Sequence, residues 1–154
     1  MTEVERIANQ LRRAHEGGAW HGPALDEILK GVSAQAALAR PIEGAHSIWE
    51  ILLHIGVWEA VVRRRLSGEV LAALTPEQDW PAVHETSESA WQRAREELRR
   101  GFEQLQQVAA RLTDRQLGEP VPGMEYNVYF MLHGAVQHAL YHAGQIAVLK
   151  KAAP

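Results

Sequence analysis

Hydrophobic residues recur at the three- and four-residue spacings of amphipathic helices in four long segments of this chain. The predicted helices cover residues 2–17, 46–68, 87–112 and 127–151. Thr2 and Glu5 form the capping box that starts the first helix, and Asn127 is the predicted N-cap of the last, which ends at Lys150 and Lys151. No segment alternates apolar and polar residues as a strand would. The pattern predicts an all-α fold, a four-helix bundle.

Shorter helical segments are predicted at 24–32 and 34–39, between the first two long helices, with Ser33 as the cap of the second segment. Residues 75–85 and 118–125 hold four prolines and are predicted to be connecting loops. A chain of 154 residues can bury enough surface for a self-sufficient core, so residues 1–154 are expected to form a single domain.

The composition, with 46% apolar and 23% charged residues, is typical of a globular protein. The formal net charge of -3 argues against a nucleic-acid partner, and the arginine runs at 63–65 and 99–100 are interpreted as solvated helix faces. The absence of cysteine excludes disulfides and thiolate ligands from this sequence. The charged start is unlike a signal peptide and no apolar run is long enough to cross a membrane, which predicts a cytoplasmic protein without a membrane partner.

The strongest chemical signal is the pair His138 and His142, four residues apart on the last predicted helix. Eight histidines in 154 residues give about 0.4 such pairs by chance, so the spacing alone is weak. At about 100° per residue the pair shares the apolar stripe with Met131 and Leu149, whereas His133 points to the opposite side. Buried imidazoles need partners for both ring nitrogens, and either metal coordination or hydrogen bonding would supply them.

A third histidine, His54, lies inside the apolar second helix. If the four helices alternate in direction, the second and fourth run the same way. His54 then lies about 12 Å and His138 about 16 Å from the start of its helix, at about 1.5 Å per residue. These heights agree within one turn, so three histidines could converge on one point in the core.

Three stretches of the sequence together resemble a known family. They are WHGPAL at 20–25, HSIWE at 46–50, which leads to His54, and HALYHAGQI at 138–146. They resemble the DinB/YfiT-like superfamily of metal-dependent enzymes, and the likeness extends over residues 20–149. In that family one histidine of the second long helix and two of the last bind the metal, which implies His54, His138 and His142 here. The resemblance also implies a four-helix bundle, frequently homodimeric, that binds zinc, nickel or a similar divalent ion.

The resemblance implies no single reaction, because relatives include thiol S-transferases that use bacillithiol, a mycothiol-dependent isomerase and many proteins described only as hydrolases. Three neutral imidazoles leave a coordination position open, where an ion lowers the pKa of water toward about 7 or binds a thiol as thiolate. We therefore expect a metal-dependent hydrolase or thiol S-transferase acting on a small molecule, with any thiol supplied as a low-molecular-weight cosubstrate. The alternative is a non-catalytic bundle that binds a metal or small ligand for stability or sensing. No catalytic residue can be named from the sequence.

Other residues near the three histidines in sequence are candidates for supporting roles. Trp58, Tyr141 and Gln145 are predicted to line the pocket or to contact the ligands from behind, while Glu59 and Glu125 are candidate carboxylate partners or general bases. His46, two turns before His54, is interpreted as a helix cap that could instead line the cavity. The remaining histidines are predicted to lie outside the site: His133 as an ordinary polar residue, and His15, His21 and His84 as surface groups.

Overall fold

The structure, a computed structural model, describes residues 1–153 and is built from helices joined by loops. The long helices are α1 (Glu3–His15), α4 (Ile48–Leu66), α6 (Glu88–Ala110) and α8 (Val128–Ala152). The short ones are α2 (Leu25–Leu29), α3 (Ala34–Leu38), α5 (Pro76–Asp79) and α7 (Asp114–Leu117). Within residues 1–153 there is no strand, and the predicted all-α fold is confirmed. Over the same residues, no helix combines the length and apolar character needed to span a bilayer.

Each long helix begins after a residue whose side chain accepts a hydrogen bond from the backbone N–H three residues later. The four caps are Thr2, Ser47, Ser87 and Asn127. Side-chain caps satisfy backbone donors that the first turn leaves unpaired, so the helix starts follow from the local sequence. The interpretation of His46 as the cap of α4 is wrong, because Ser47 Oγ accepts from the backbone N–H of Glu50.

The long helices do not simply alternate in direction. One core region joins the first halves of α4 and α6 to the second half of α8, through residues such as Ile51, Trp91 and Ile146. The other joins the ends of α4 and α6 to the start of α8, through residues that include Val62 and Met131. Helices α4 and α6 therefore run parallel, and α8 runs antiparallel to both. The prediction that the second and fourth long helices run the same way is wrong.

The connection between α4 and α6 explains this arrangement. Residues 67–87 lead from the end of α4 back to the start of a parallel helix, so they must travel along the bundle. Residues 75–85 lie in this connection as predicted, but they are not all loop, because Pro76 opens α5 and Thr75 forms a capping box with Gln78. This short helix packs on α4 and brings Asp79 and Trp80 to the histidines.

Helix α1 is tied to the bundle at both ends. Asp114 accepts hydrogen bonds from the backbone N–H groups of Glu3 and Val4, and at the other end the imidazole of His15 stacks on Phe102 at a centroid distance of 3.8 Å. His15 is 3% exposed, and its Nε2 lies 2.8 Å from Oε1 of Glu59. The prediction of His15 as a surface group is wrong, because α1 ends against α4 and α6 rather than in solvent.

Candidate metal centre

Three histidines from two antiparallel helices meet in the bundle. His54 comes from the first half of α4, and His138 and His142 come from successive turns of α8. One nitrogen of each ring lies within 4.8 Å of the other two, and Nε2 of His54 is 3.0 Å from Nε2 of His138. His54 and His142 are buried and His138 is half-buried. Although the predicted helix direction is wrong, the predicted convergence of the three rings is present.

Hydrogen bonds behind two of the rings fix which nitrogen faces the centre. Nδ1 of His54 lies 2.8 Å from the backbone oxygen of Asp79 and 3.2 Å from its Oδ1, and Nδ1 of His142 lies 2.7 Å from Oε1 of Gln145. These oxygens only accept, so each Nδ1 must carry the proton and donate. Nε2 of His54 and of His142 then carries a lone pair rather than a proton, as metal-ligating imidazoles require. The lone pair of His54 faces Nε2 of His138 at 3.0 Å, and Nε2–H of His138 donates to it while both rings are neutral.

The spacing of the rings is compatible with one ion. Two nitrogens bound at about 2.0–2.1 Å in tetrahedral geometry are about 3.3 Å apart. The Nε2 atoms of His54 and His138, at 3.0 Å, are within a few tenths of an ångström of that value. Three neutral nitrogen donors that converge in this way form a group that could hold a divalent ion such as zinc or nickel.

Burial favours the neutral form of His138 and His142. It is the main cause that lowers the pKa of His138 to about 4, and the neighbouring charges of His142 and His54 act in the same direction. Burial likewise lowers the pKa of His142, opposed by the hydrogen bond to Gln145. At neutral pH both rings therefore have a lone pair available without having to lose a proton.

Trp80 covers the face of the His54 ring. The indole lies between two imidazoles, with centroid distances of 3.9 Å to His54 and 3.6 Å to His46 in nearly parallel planes. Nearby, the indole N–H of Trp58 donates to Oδ1 of Asp79 at 2.7 Å. The segment around α5 thus holds His54 from two directions, through the carbonyl and carboxylate of Asp79 and through the stacked Trp80.

The sequence model of the DinB superfamily matches residues 19–146 of this chain. The chain belongs to the DinB superfamily. A crystal structure described as the conserved protein of locus from Enterococcus faecalis has the same fold, with a TM-score of 0.76 at 15% identity over 99% of this chain and 98% of that chain. A search of curated proteins found no match. The family match agrees with the resemblance seen in the three sequence stretches.

Two cavities approach the histidines of this DinB-superfamily chain from different sides. The first, which we call the α4–α8 cavity, has a volume of about 250 Å³ and reaches His138 and Trp58. The second, the Trp80 cavity, has a volume of about 610 Å³ and reaches His142. It is lined by Trp80 together with His46, Tyr141 and Gln145. Tyr141 is 66% exposed, so it forms the mouth of this cavity rather than a contact behind the ligands.

Several other residues considered in the sequence lie away from the three converging histidines. His133 packs on Tyr129 with a centroid distance of 4.4 Å, and His21 and His84 are exposed, as predicted. Glu125 is exposed and makes no hydrogen bond to a histidine among residues 1–153. Glu59 lines the α4–α8 cavity but its carboxylate contacts His15, not one of the three converging histidines.

The residues that sequence reasoning missed are Asp79 and Trp80. Both lie within residues 75–85, which the prolines predict to be a connecting loop, and the available signal is the Thr75–Gln78 capping box with proline at the first helical position. Arg65 also departs from prediction. It was assigned to a solvated face, but it is only partly exposed and lines the α4–α8 cavity.

Proposed function

We propose that this chain is a metal-dependent enzyme that uses His54, His138 and His142 to hold zinc or nickel and transfers a low-molecular-weight thiol to a small electrophile. The observation that carries the proposal is the convergence of three imidazoles within 4.8 Å, two of them oriented by acceptors behind the ring. When bound there, a divalent ion would supply Lewis acidity that favours the thiolate or hydroxide form of a ligand at neutral pH.

The side chains around the histidines would orient the ligands and exclude water. Asp79 and Gln145 prevent rotation of the rings of His54 and His142, which preserves the donor geometry before an ion arrives. The stacked Trp80 covers one face of His54, and Trp58 lines the α4–α8 cavity next to His138. These aromatic groups lower the local polarity, which strengthens any charge interaction at the centre.

The two cavities favour a reaction with two organic components. The smaller α4–α8 cavity reaches His138, and the larger Trp80 cavity, with polar residues His46, Tyr141 and Gln145, reaches His142. An electrophile in the first and a hydrophilic thiol in the second would both end at the histidines. The thiolate sulfur would bond to the electrophilic carbon, the leaving group would depart with the electron pair of its own bond to that carbon, and the thiol proton would pass to solvent. Hydrolysis is the second candidate, because the same centre would serve water in place of the thiol.

A thiol-transfer assay tests this proposal. Protein purified without a histidine tag is loaded with zinc or nickel and incubated with an activated aryl electrophile, with or without a panel of low-molecular-weight thiols. We expect metal-dependent consumption of thiol that His138→Ala abolishes and His133→Ala preserves. Ester cleavage without thiol would favour the hydrolase, while stoichiometric metal with neither reaction would favour the non-catalytic binding role. Failure to bind either ion would contradict the proposal.

We further propose that residues 1–154 act as one domain and that two copies associate. Large hydrophobic side chains are exposed along α8, including Phe130 at 65%, Tyr141 at 66% and Val148 at 56%. At about 100° per residue these three side chains lie within about 20° of one another around α8, and an exposed apolar stripe is typical of a contact between proteins. Light scattering at micromolar protein concentration should give the mass of a dimer, and a monomer would contradict this expectation.

A further inference from the structure

The α4–α8 cavity contains polar groups that the proposed metal centre does not use. Helix α4 lines it with residues one turn apart, from Ile55 through Glu59 and Val62 to Arg65. Because α8 runs antiparallel, the cavity begins at His138 and ends where Arg65 meets the start of α8. It is therefore a slot with the candidate metal centre at one end and a guanidinium at the other.

The guanidinium of Arg65 is only partly paired. Its Nη1 donates to the hydroxyl of Tyr126 at 2.7 Å, and its Nε is buried without a hydrogen-bond partner among residues 1–153. Arg65 lines the slot, and a guanidinium with donors still unused can pair with a carboxylate through charge-assisted hydrogen bonds. A donor left without a partner is unfavourable, so a ligand that satisfied it would gain in affinity.

Glu59 restricts where a negative charge can lie in the slot. It is 5% exposed, sits between Ile55 and Arg65 on α4, and has His15 at 2.8 Å from its Oε1. The carboxylate of Glu59 is already paired with His15, whereas Arg65 is the cationic side chain in the lining, so a ligand carboxylate is favoured at the Arg65 end. An anionic ligand is thereby oriented with its charge away from the histidines.

The rest of the slot is apolar and of limited length. Trp58, Val62 and Met131 line its walls, and Gly134 and Ala135 leave room on the α8 side. It extends about 15 Å along α4 from Ile55 to Arg65, at about 1.5 Å per residue. A volume of about 250 Å³ is below the usual range for drug-sized ligands, about 300–1,000 Å³. The ligand must therefore be small, apolar in the middle and charged at one end.

We infer that the α4–α8 cavity binds small monocarboxylates with an apolar body, the carboxylate on Arg65 and Tyr126 and the opposite end at His138. The claim that the opposite end of the ligand reacts rests on the proposed function. The claim that the ligand binds does not depend on it. Arg65 is the residue that determines specificity for the acid over its neutral analogue.

Calorimetric titration with 4-phenylbutyrate and its neutral analogue 4-phenylbutyramide tests the inference, on metal-free and on zinc-loaded protein. Wild type should bind the acid about tenfold more tightly than the amide, as expected of a charge-assisted contact. Arg65→Gln should remove that preference while leaving amide binding unchanged, which also shows that the slot is intact. Arg64→Gln is the matched control, because Arg64 is exposed and pairs with Glu69 outside the slot. Ala135→Leu should fill the slot and weaken both probes.

Three results would overturn the inference: no binding of either probe to wild type, equal affinity for acid and amide, or a preference for the acid that survives in Arg65→Gln. The two proposals fail separately. If the protein takes up no zinc but the Arg65-dependent preference is found, the proposed function is wrong and the carboxylate slot stands. If zinc-dependent thiol transfer is found without any preference for the acid, the slot assignment alone is wrong.

Discussion

Replacing Gln145 with leucine should weaken metal binding without removing a ligand. Gln145 accepts a 2.7 Å hydrogen bond from Nδ1 of His142, which fixes both the ring orientation and the tautomer that leaves Nε2 free. In Gln145→Leu the metal-free ring can move its proton to Nε2, but binding an ion through Nε2 forces the proton back onto a buried Nδ1 without an acceptor. The cost therefore falls on metal binding rather than on folding.

The expected loss of zinc affinity follows from the unpaired Nδ1–H donor of His142. His142 is 5% exposed, and leaving a buried N–H unsatisfied costs about 1–3 kcal/mol. Because about 1.4 kcal/mol is a factor of ten, the dissociation constant for zinc should rise about 10- to 100-fold, the range found for residues that support metal-bound histidines. In Gln145→Glu a carboxylate oxygen takes the place of the amide oxygen on a side chain of the same length, so this variant should bind zinc at least as tightly as wild type.

Competition for zinc against a chromophoric chelator at neutral pH measures these differences. Gln137→Leu is the matched control, because Gln137 lies on the exposed side of α8. The thermal midpoint of the metal-free variants should match that of wild type, which separates an effect on binding from an effect on folding. A Gln145→Leu variant whose zinc affinity stays within twofold of wild type would refute the proposed role of this hydrogen bond.

Three further predictions concern stability. Trp91→Phe removes the 2.7 Å hydrogen bond from a fully buried indole to the carbonyl of Val32. The free energy of unfolding, measured in urea, should fall by about 1–3 kcal/mol. A smaller loss would mean that water takes the place of the indole N–H. Glu59→Ala should cost about 3 kcal/mol because it leaves His15 buried without its partner, and adding His15→Ala should recover part of the loss; strictly additive losses would contradict this coupling. The pKa of His138 is about 4 in the folded chain, below its unfolded value of about 6.5, so the unfolded chain binds the proton more readily. The thermal midpoint of metal-free protein should therefore fall as the pH drops from about 6.5 toward 4, and His138→Gln should reduce that slope; an unchanged slope would argue against this assignment.

Local sequence was enough to predict the helices. The caps Thr2, Ser33 and Asn127 all act where predicted, because a cap is a contact within one turn and needs no tertiary information. The three converging histidines were also predictable, since helical spacing placed His138 and His142 on one face and the family resemblance added His54.

Helix direction and the groups behind the ligands depend on contacts distant in sequence. The alternating arrangement assumed that each connection is a short turn, but residues 67–87 are long enough to return along the bundle and make α4 and α6 parallel. That same segment carries Asp79 and Trp80, whose positions against His54 are set by the packing of α5 on α4. The burial of His15 likewise depends on Glu59, which lies far away in sequence.

Elemental analysis of protein purified without a histidine tag tests the central claim most directly. We predict one divalent ion per chain in wild type and in His133→Ala, and loss of stoichiometric binding in His54→Ala, His138→Ala and His142→Ala, because two imidazoles keep neither the ligand number nor the geometry of the site. Circular dichroism should show that these variants remain helical, so that loss of metal is not loss of fold. Unchanged metal content in all three variants, or no metal in wild type after incubation with zinc or nickel, would contradict the account.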